Sequence, residues 1–153
     1  MLKAIARLLG RLAPRRADRT DELRLAVAAL LVEVAGISGN FDDRGRKTLE
    51  RLLASRFSLS PEGAAALLAA AEDAVRRSTE MTGFAGTVTR ALAPEDRSQV
   101  VGILWQAAYA GGRPDAVQDA LLRRIASLIG VGDADRVQAR RNALRYDEQG
   151  APA

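Results

Sequence analysis

The 153-residue sequence contains no cysteine and no histidine. Without cysteine, the chain can form no disulfide and offers neither a thiol nucleophile nor a thiolate metal ligand, which fits a reducing compartment. Without histidine, it has no imidazole general base, no Ser-His triad and none of the commonest zinc ligands. Any bound metal would therefore be held by oxygen atoms, which favours calcium, magnesium or manganese.

Aromatic residues are also scarce, at 4% of the chain, while hydrophobic residues make up 48% and charged residues 27%. This balance is typical of a soluble globular protein, and the length suits one domain with a hydrophobic core. Alanine and leucine dominate the apolar residues and favour helix over strand.

Positive charge is concentrated at the N-terminus. Residues 1–19 contain six of the 23 basic residues and one of the 19 acidic residues. The globular part therefore carries a slight negative charge, so we expect no nucleic-acid partner.

Residues 2–12 have an amphipathic helical pattern that is too short and too charged to span a membrane. Three interpretations stay open: an anchor on an anionic membrane surface, a helix that docks in a partner's groove, or a lid on its own bundle. The residues predicted to make membrane or partner contacts are Leu2, Lys3, Ile5, Arg7, Leu9, Arg11 and Leu12.

One unit occurs twice, with a constant offset of 73 residues. The first copy contains L-V-E-V-A-G-I-S-G-N-F-D-D, and the second contains L-W-Q-A-A-Y-A-G-G-R-P-D-A. Such a repeat predicts two related helix–turn–helix units. The offset makes these pairs: Glu33 with Gln106, Gly39 with Gly112, Asp42 with Asp115, and Leu49 with Leu122.

Capping and turn residues divide the globular part into about seven helices. Thr20, Asp42 and Asp115 are predicted N-caps, Ser60-Pro61-Glu62 is a helix start, and Gly130 is a helix stop. The fold class predicted is all-α: a single-domain helical bundle built from two pseudo-symmetric helix–turn–helix repeats. The predicted organisation is a basic N-terminal helix and linker at 1–19, a helical domain at 20–144 and a flexible tail at 145–153.

The two turns are where a site is expected, because related turns should meet and bring carboxylates together. The candidate metal ligands are Glu33, Asp42 and Asp115. For Asp42 and Asp115, helix capping is the favoured alternative. For Glu33, the alternative is a partly exposed helix position. Trp105, Tyr109 and Phe84 are expected to pack in the core rather than line a ligand pocket.

At the two turns the chain resembles the TerB family, the tellurite-resistance helical domain, over roughly residues 22–144. The resemblance rests on L-L-V-E-V-A-x-x-x-G-x-F-D in the first copy. In the second copy it rests on L-W-Q-A-A-Y-A-G-G-R-P-D-A-V-Q-D-A-L-L-R-R-I-A-S. It implies an intracellular all-α domain with a cluster of acids that binds divalent metal or a basic partner surface.

The chain departs from the family pattern E-V-A-x-A-D-G-x-x-D-x-x-E at five of the eight acidic positions. Only Glu33, Asp42 and Asp115 remain. The residues in place of the acids are Ser38, Gly45, Gln106, Gly111 and Gln118. The acidic site is thus depleted, which disfavours tight metal binding.

The function expected is a non-enzymatic binding or scaffold domain of the TerB-like class, linked to tellurite, metal or envelope stress. The alternative is weak calcium, magnesium or manganese binding by the three remaining carboxylates; otherwise we expect no cofactor. The expected partner is a protein. The expected location is the cytoplasm, with contact to the inner face of the membrane through residues 1–19.

Overall fold

Helices make up most of the chain that the structure describes. The computed structural model describes residues 16–39, 41–78 and 80–148. Within these ranges there are seven helices and no strand, which confirms the all-α fold class. The helices are α1 (Arg16–Gly36), α2 (Asp43–Phe57), α3 (Pro61–Arg77), α4 (Thr82–Ala91), α5 (Pro94–Tyr109), α6 (Ala116–Leu128) and α7 (Asp133–Glu148).

Helix α1 is the centre of the bundle. Every residue from 26 to 32 is buried, so this helix is enclosed on all faces rather than along one stripe. It packs against α2, α3, α4, α5 and α6. Because α1 is surrounded in this way, the other helices are arranged around it as a shell.

Helix α5 is the second buried element. Its residues Val100, Val101 and Ile103–Ala108 are buried, and α7 packs closely along it. Trp105 is only 1% exposed, and Phe84 and Tyr109 pack against the core from half-buried positions. The predicted core role of the three aromatic residues is therefore confirmed.

The two turns predicted by the repeat share local features. Asp42 accepts a hydrogen bond from the backbone N–H of Gly45 at 2.9 Å, and Asp115 accepts one from Gln118 at 2.8 Å. Both carboxylates are therefore N-caps, each worth about 1 kcal/mol to helix stability. The glycines that precede them have positive φ angles, 75° at Gly39 and 108° at Gly112, which an L side chain adopts only with strain. The pseudo-symmetric arrangement of the two whole units stays a prediction.

Two details of the sequence-based prediction were wrong. Helix α1 begins at Arg16, so Thr20 is not its N-cap, because no glycine or proline interrupts the helix between them. Helix α7 continues past Leu144 to Glu148 for the same reason.

Residues 2–12, predicted to be amphipathic, and the end of the tail after Glu148 lie outside the described residues. None of the helices in the described ranges is long and apolar enough to cross a membrane.

Candidate functional site

The two turns line one open cleft of about 870 Å³. The first turn and the start of α2 form one side, and the end of α5 with the start of α6 forms the other. Asp42 and Asp115, two of the three candidate ligands, both line it. The lining residues are Ala35, Ser38, Gly39, Phe41, Asp42, Arg44, Gly45, Leu49, Ala107, Ala108, Ala110, Gly111, Gly112, Arg113, Asp115 and Gln118.

Two hydrogen bonds tie the turns together at the floor of this cleft. The Ser38 hydroxyl donates to Oδ2 of Asp115, and Nε2 of Gln118 donates to the backbone carbonyl of Val34 at 3.2 Å. Both donors stand at positions where the family pattern has acids. A carboxylate at position 38 would face Asp115 with like charge, and one at position 118 could not donate to Val34. The sequence showed these two residues only as losses, whereas the structure gives each a connecting role.

Asp115 is the most fully engaged carboxylate at the site. One of its oxygens accepts the N–H of Gln118, the other accepts the Ser38 hydroxyl, and Oε1 of Gln118 accepts the N–H of Asp115 in return at 3.2 Å. The bond from Ser38, and then the backbone bond from Gln118, lower the pKa of Asp115. This carboxylate therefore stays ionised at neutral pH and is a weak base.

An ion pair lies next to the aromatic ring that lines the cleft. Phe41 lines the cleft, and the Arg46 guanidinium lies 5.8 Å from the centre of its ring. Arg46 also makes a two-pronged contact with Glu72 of α3, with Nη2 2.7 Å from Oε2. This pairing links the first turn to α3 and restrains the position of the ring.

Glu33, the third candidate ligand, does not line the cleft. It is two residues from Ala35, which does, and two residues of α-helix turn the side chain by about 160° to another face. Glu33 is half-buried, and burial raises the pKa of its carboxyl. The described residues provide no hydrogen bond or salt bridge to this carboxylate.

Gln106, the counterpart of Glu33, is 6% exposed and accepts a hydrogen bond from Nη2 of Arg56 at 2.8 Å. An uncharged amide costs less to bury than a carboxylate, so the neutral residue suits the deeper position. Its Nε2 and the Nε1 of Trp105 are buried without a hydrogen-bond partner in the described part of the chain.

The donor set does not fit a resident divalent cation. Within the described ranges, no group of three or more acidic side chains is placed to hold a metal ion. Both oxygens of Asp115 and one oxygen of Asp42 accept hydrogen bonds, and Glu33 lies on another face. Calcium and magnesium need several free oxygen ligands, which this arrangement does not supply.

Millimolar calcium, magnesium or manganese is expected to leave the melting temperature of the full chain unchanged. A ligand that binds only the folded state would raise it. The measurement is differential scanning fluorimetry after chelator treatment, with Glu33→Ala and Asp42→Ala as matched variants. A rise in the wild type that either variant abolishes would restore the metal-binding interpretation.

Glu33→Gln is expected to raise the melting temperature at pH 7. The pKa of Glu33 is raised in the folded state, which means that its ionised form destabilises the fold. The loss of folding stability therefore appears as the pH rises from the ordinary glutamate pKa, near 4.3, through the folded-state pKa. The gain should disappear at lower pH, where Glu33 is protonated in both states. A change of 1 kcal/mol shifts the melting temperature of a chain this size by about 2–4 °C, which calorimetry resolves. An equal difference in melting temperature between Glu33→Gln and the wild type at every pH would contradict a raised pKa for Glu33.

The comparison with protein families agrees with this architecture. The family model described as "Tellurite resistance protein TerB" matches residues 24–141, which is most of the chain and includes both turns. No curated protein and no solved structure matches the chain. The chain belongs to the TerB family.

Proposed function

We propose that this TerB-family chain is a non-enzymatic binding domain that holds a partner protein in the cleft between its two turns. The observation that supports this proposal most strongly is the composition of the cleft. Both turns contribute to one open space of about 870 Å³, while its carboxylates are occupied by helix caps and by the Ser38 contact.

The groups that line the cleft do not favour catalysis. The sequence has no histidine and no cysteine, and the lowered pKa of Asp115 makes it a weak general base at neutral pH. The Ser38 hydroxyl donates to that same carboxylate, whose lowered pKa makes it too weak a base to activate a serine nucleophile. Glu33, whose raised pKa would suit acid–base work, lies outside the cleft.

The lining favours a protein segment over an apolar small molecule. Small-molecule pockets have similar volumes, about 300–1,000 Å³, but are lined mostly by apolar and aromatic side chains. Here the lining includes four glycines, two arginines and two aspartates, with Phe41 as the single aromatic residue. Exposed backbone and charged groups suit the polar backbone and side chains of a peptide segment.

The family description connects this domain with tellurite resistance, and we include a role in tellurite or metal stress in the proposal. The lack of cysteine fits a cytoplasmic location. Contact of the N-terminal segment with a partner or with the inner face of the membrane stays a prediction of the sequence.

Photocrosslinking at Gly111 tests the binding role directly. Gly111 lines the cleft, its φ is not positive, and no atom lies within 4 Å of a Cβ placed there, so benzoylphenylalanine should be tolerated. In cells that naturally encode the protein, we expect a discrete protein adduct after irradiation, detected by gel shift and identified by mass spectrometry.

The matched control places the same residue at Arg124, which is exposed on α6 and does not line the cleft. The adduct should be absent there. No adduct at position 111, or the same adduct at both positions, would count against the cleft as the binding surface. Circular dichroism should show the same melting temperature for both substituted proteins.

Deletion of the gene should reduce growth in tellurite, and a plasmid copy of the wild type should restore it. Gly111→Trp is expected to restore growth less well, because its indole obstructs the cleft while its Cβ meets no atom of the fold within 4 Å. Growth curves over a series of tellurite concentrations provide the measurement, with Arg124→Trp as control. Unchanged growth of the deletion strain would remove the stress role while leaving the binding role to the crosslinking experiment.

A further inference from the structure

We infer that the partner segment bound in the cleft is acidic, and that Arg44 and Arg113 contact its carboxylates. This inference rests on the proposed function, since it specifies the chemistry of the same site. It reverses the charge expected from the family resemblance, in which acids line the turns.

Arg44 occupies a position that does not favour a cation. It is the second residue of α2, in the first turn, where the helix dipole places partial positive charge. The residue is exposed, lines the cleft and forms no ion pair with a carboxylate of the described residues. Its charge is therefore locally unfavourable for the helix, and residues that break a local rule in this way are often functional.

Arg113 repeats this arrangement on the opposite side. It lies two residues before the N-cap Asp115, close to the start of α6. It too is exposed and lines the cleft, and no carboxylate in the described ranges forms an ion pair with it. Two arginine residues thus line one cleft, each next to a helix N-terminus.

The charged groups of the cleft differ in how far they are already engaged, and this difference favours an anion. Asp42 and Asp115 contribute two negative charges, and Arg44 and Arg113 contribute two positive charges. The N-termini of α2 and α6 add roughly half a positive charge each, and the C-termini of α1 and α5, which end at the same cleft, subtract about as much. The oxygens of Asp115 accept hydrogen bonds from Ser38 and Gln118, whereas no carboxylate of the described residues pairs with either arginine.

There is room for the incoming side chains. No atom lies within 4 Å of a Cβ built at Gly111, and at Gly45 the nearest atoms are at 3.4 Å, close to ordinary van der Waals distance. Both glycines stand where the family pattern has acids. The space at Gly111 is therefore open, and a carboxylate supplied by a partner can enter it from solvent, whereas Asp42 and Phe41 border the space at Gly45.

Fluorescence anisotropy with a labelled peptide tests the inference on the full chain. The probe is an octapeptide of alternating glutamate and glycine, and the comparison peptide has lysine in place of glutamate. We expect binding of the glutamate peptide only, weakened by added salt because the contacts are between exposed charges. The double variant Arg44→Gln/Arg113→Gln should weaken binding about tenfold, the scale of two exposed charge pairs.

The matched control is the double variant Arg124→Gln/Arg141→Gln. It removes the same two charges from exposed positions outside the cleft. It should change the affinity less than twofold. Equal weakening by the two double variants would show that net charge alone attracts the peptide and would overturn the inference, as would equal binding of the lysine peptide or no binding of either peptide.

The cleft glycines provide an independent readout by nuclear magnetic resonance. The glutamate peptide should shift the amide signals of glycines that line the cleft and leave the signals of glycines in α3 and α4 unchanged. Shifts confined to the glycines of α3 and α4 would show that the peptide does not bind in the cleft. The reporters are Gly39, Gly45, Gly111 and Gly112, and the controls are Gly63 and Gly83.

Crosslinking at Gly111 separates failure of this inference from failure of the proposed function. If a partner crosslinks there but the acidic peptide does not bind, the cleft is a binding surface and the charge assignment is wrong. If nothing crosslinks there, the proposed function fails as well.

Discussion

Burial of α1 on every face determines where the cleft can form. A helix whose residues 26–32 are all enclosed must be surrounded by its neighbours, and five of the other six described helices contact it. Its C-terminal end therefore emerges between α2 and α6 instead of at a free edge. The packing of the core thus places the first turn beside the second.

Polar side chains then join the two turns to each other. Acids facing each other across a cleft repel unless a cation lies between them. In this chain the Ser38 hydroxyl and the Gln118 amide join the turns directly, so no cation is needed for this purpose. The carboxylates that remain, Asp42 and Asp115, cap helices, and Arg44 and Arg113 are exposed beside them in the same cleft. In the function proposed here, the arginines rather than the acids contact the partner.

Much of this structure was predictable because the relevant interactions are local. Asp42, Asp115 and Ser60 cap helices through bonds to residues three positions away, and such short-range bonds follow from sequence spacing. The repeat placed a site at the two turns, and residues of both turns line one cleft. The face occupied by Glu33 and the link from Gln118 to Val34 could not be predicted, because each depends on how helices far apart in sequence are rotated against one another. For that reason the sequence indicated the loss of acids at positions 38 and 118 but not the contacts that Ser38 and Gln118 make.

Gln118 has a consequence for how the bundle opens. Its backbone N–H and Oε1 close the first turn of α6 onto Asp115, while its Nε2 holds the end of α1. Fraying of α6 that displaces Gln118 therefore also breaks its contact with α1, because one side chain belongs to both contacts. The two helix ends are linked through this residue, although Gln118 and Val34 are 84 residues apart in sequence.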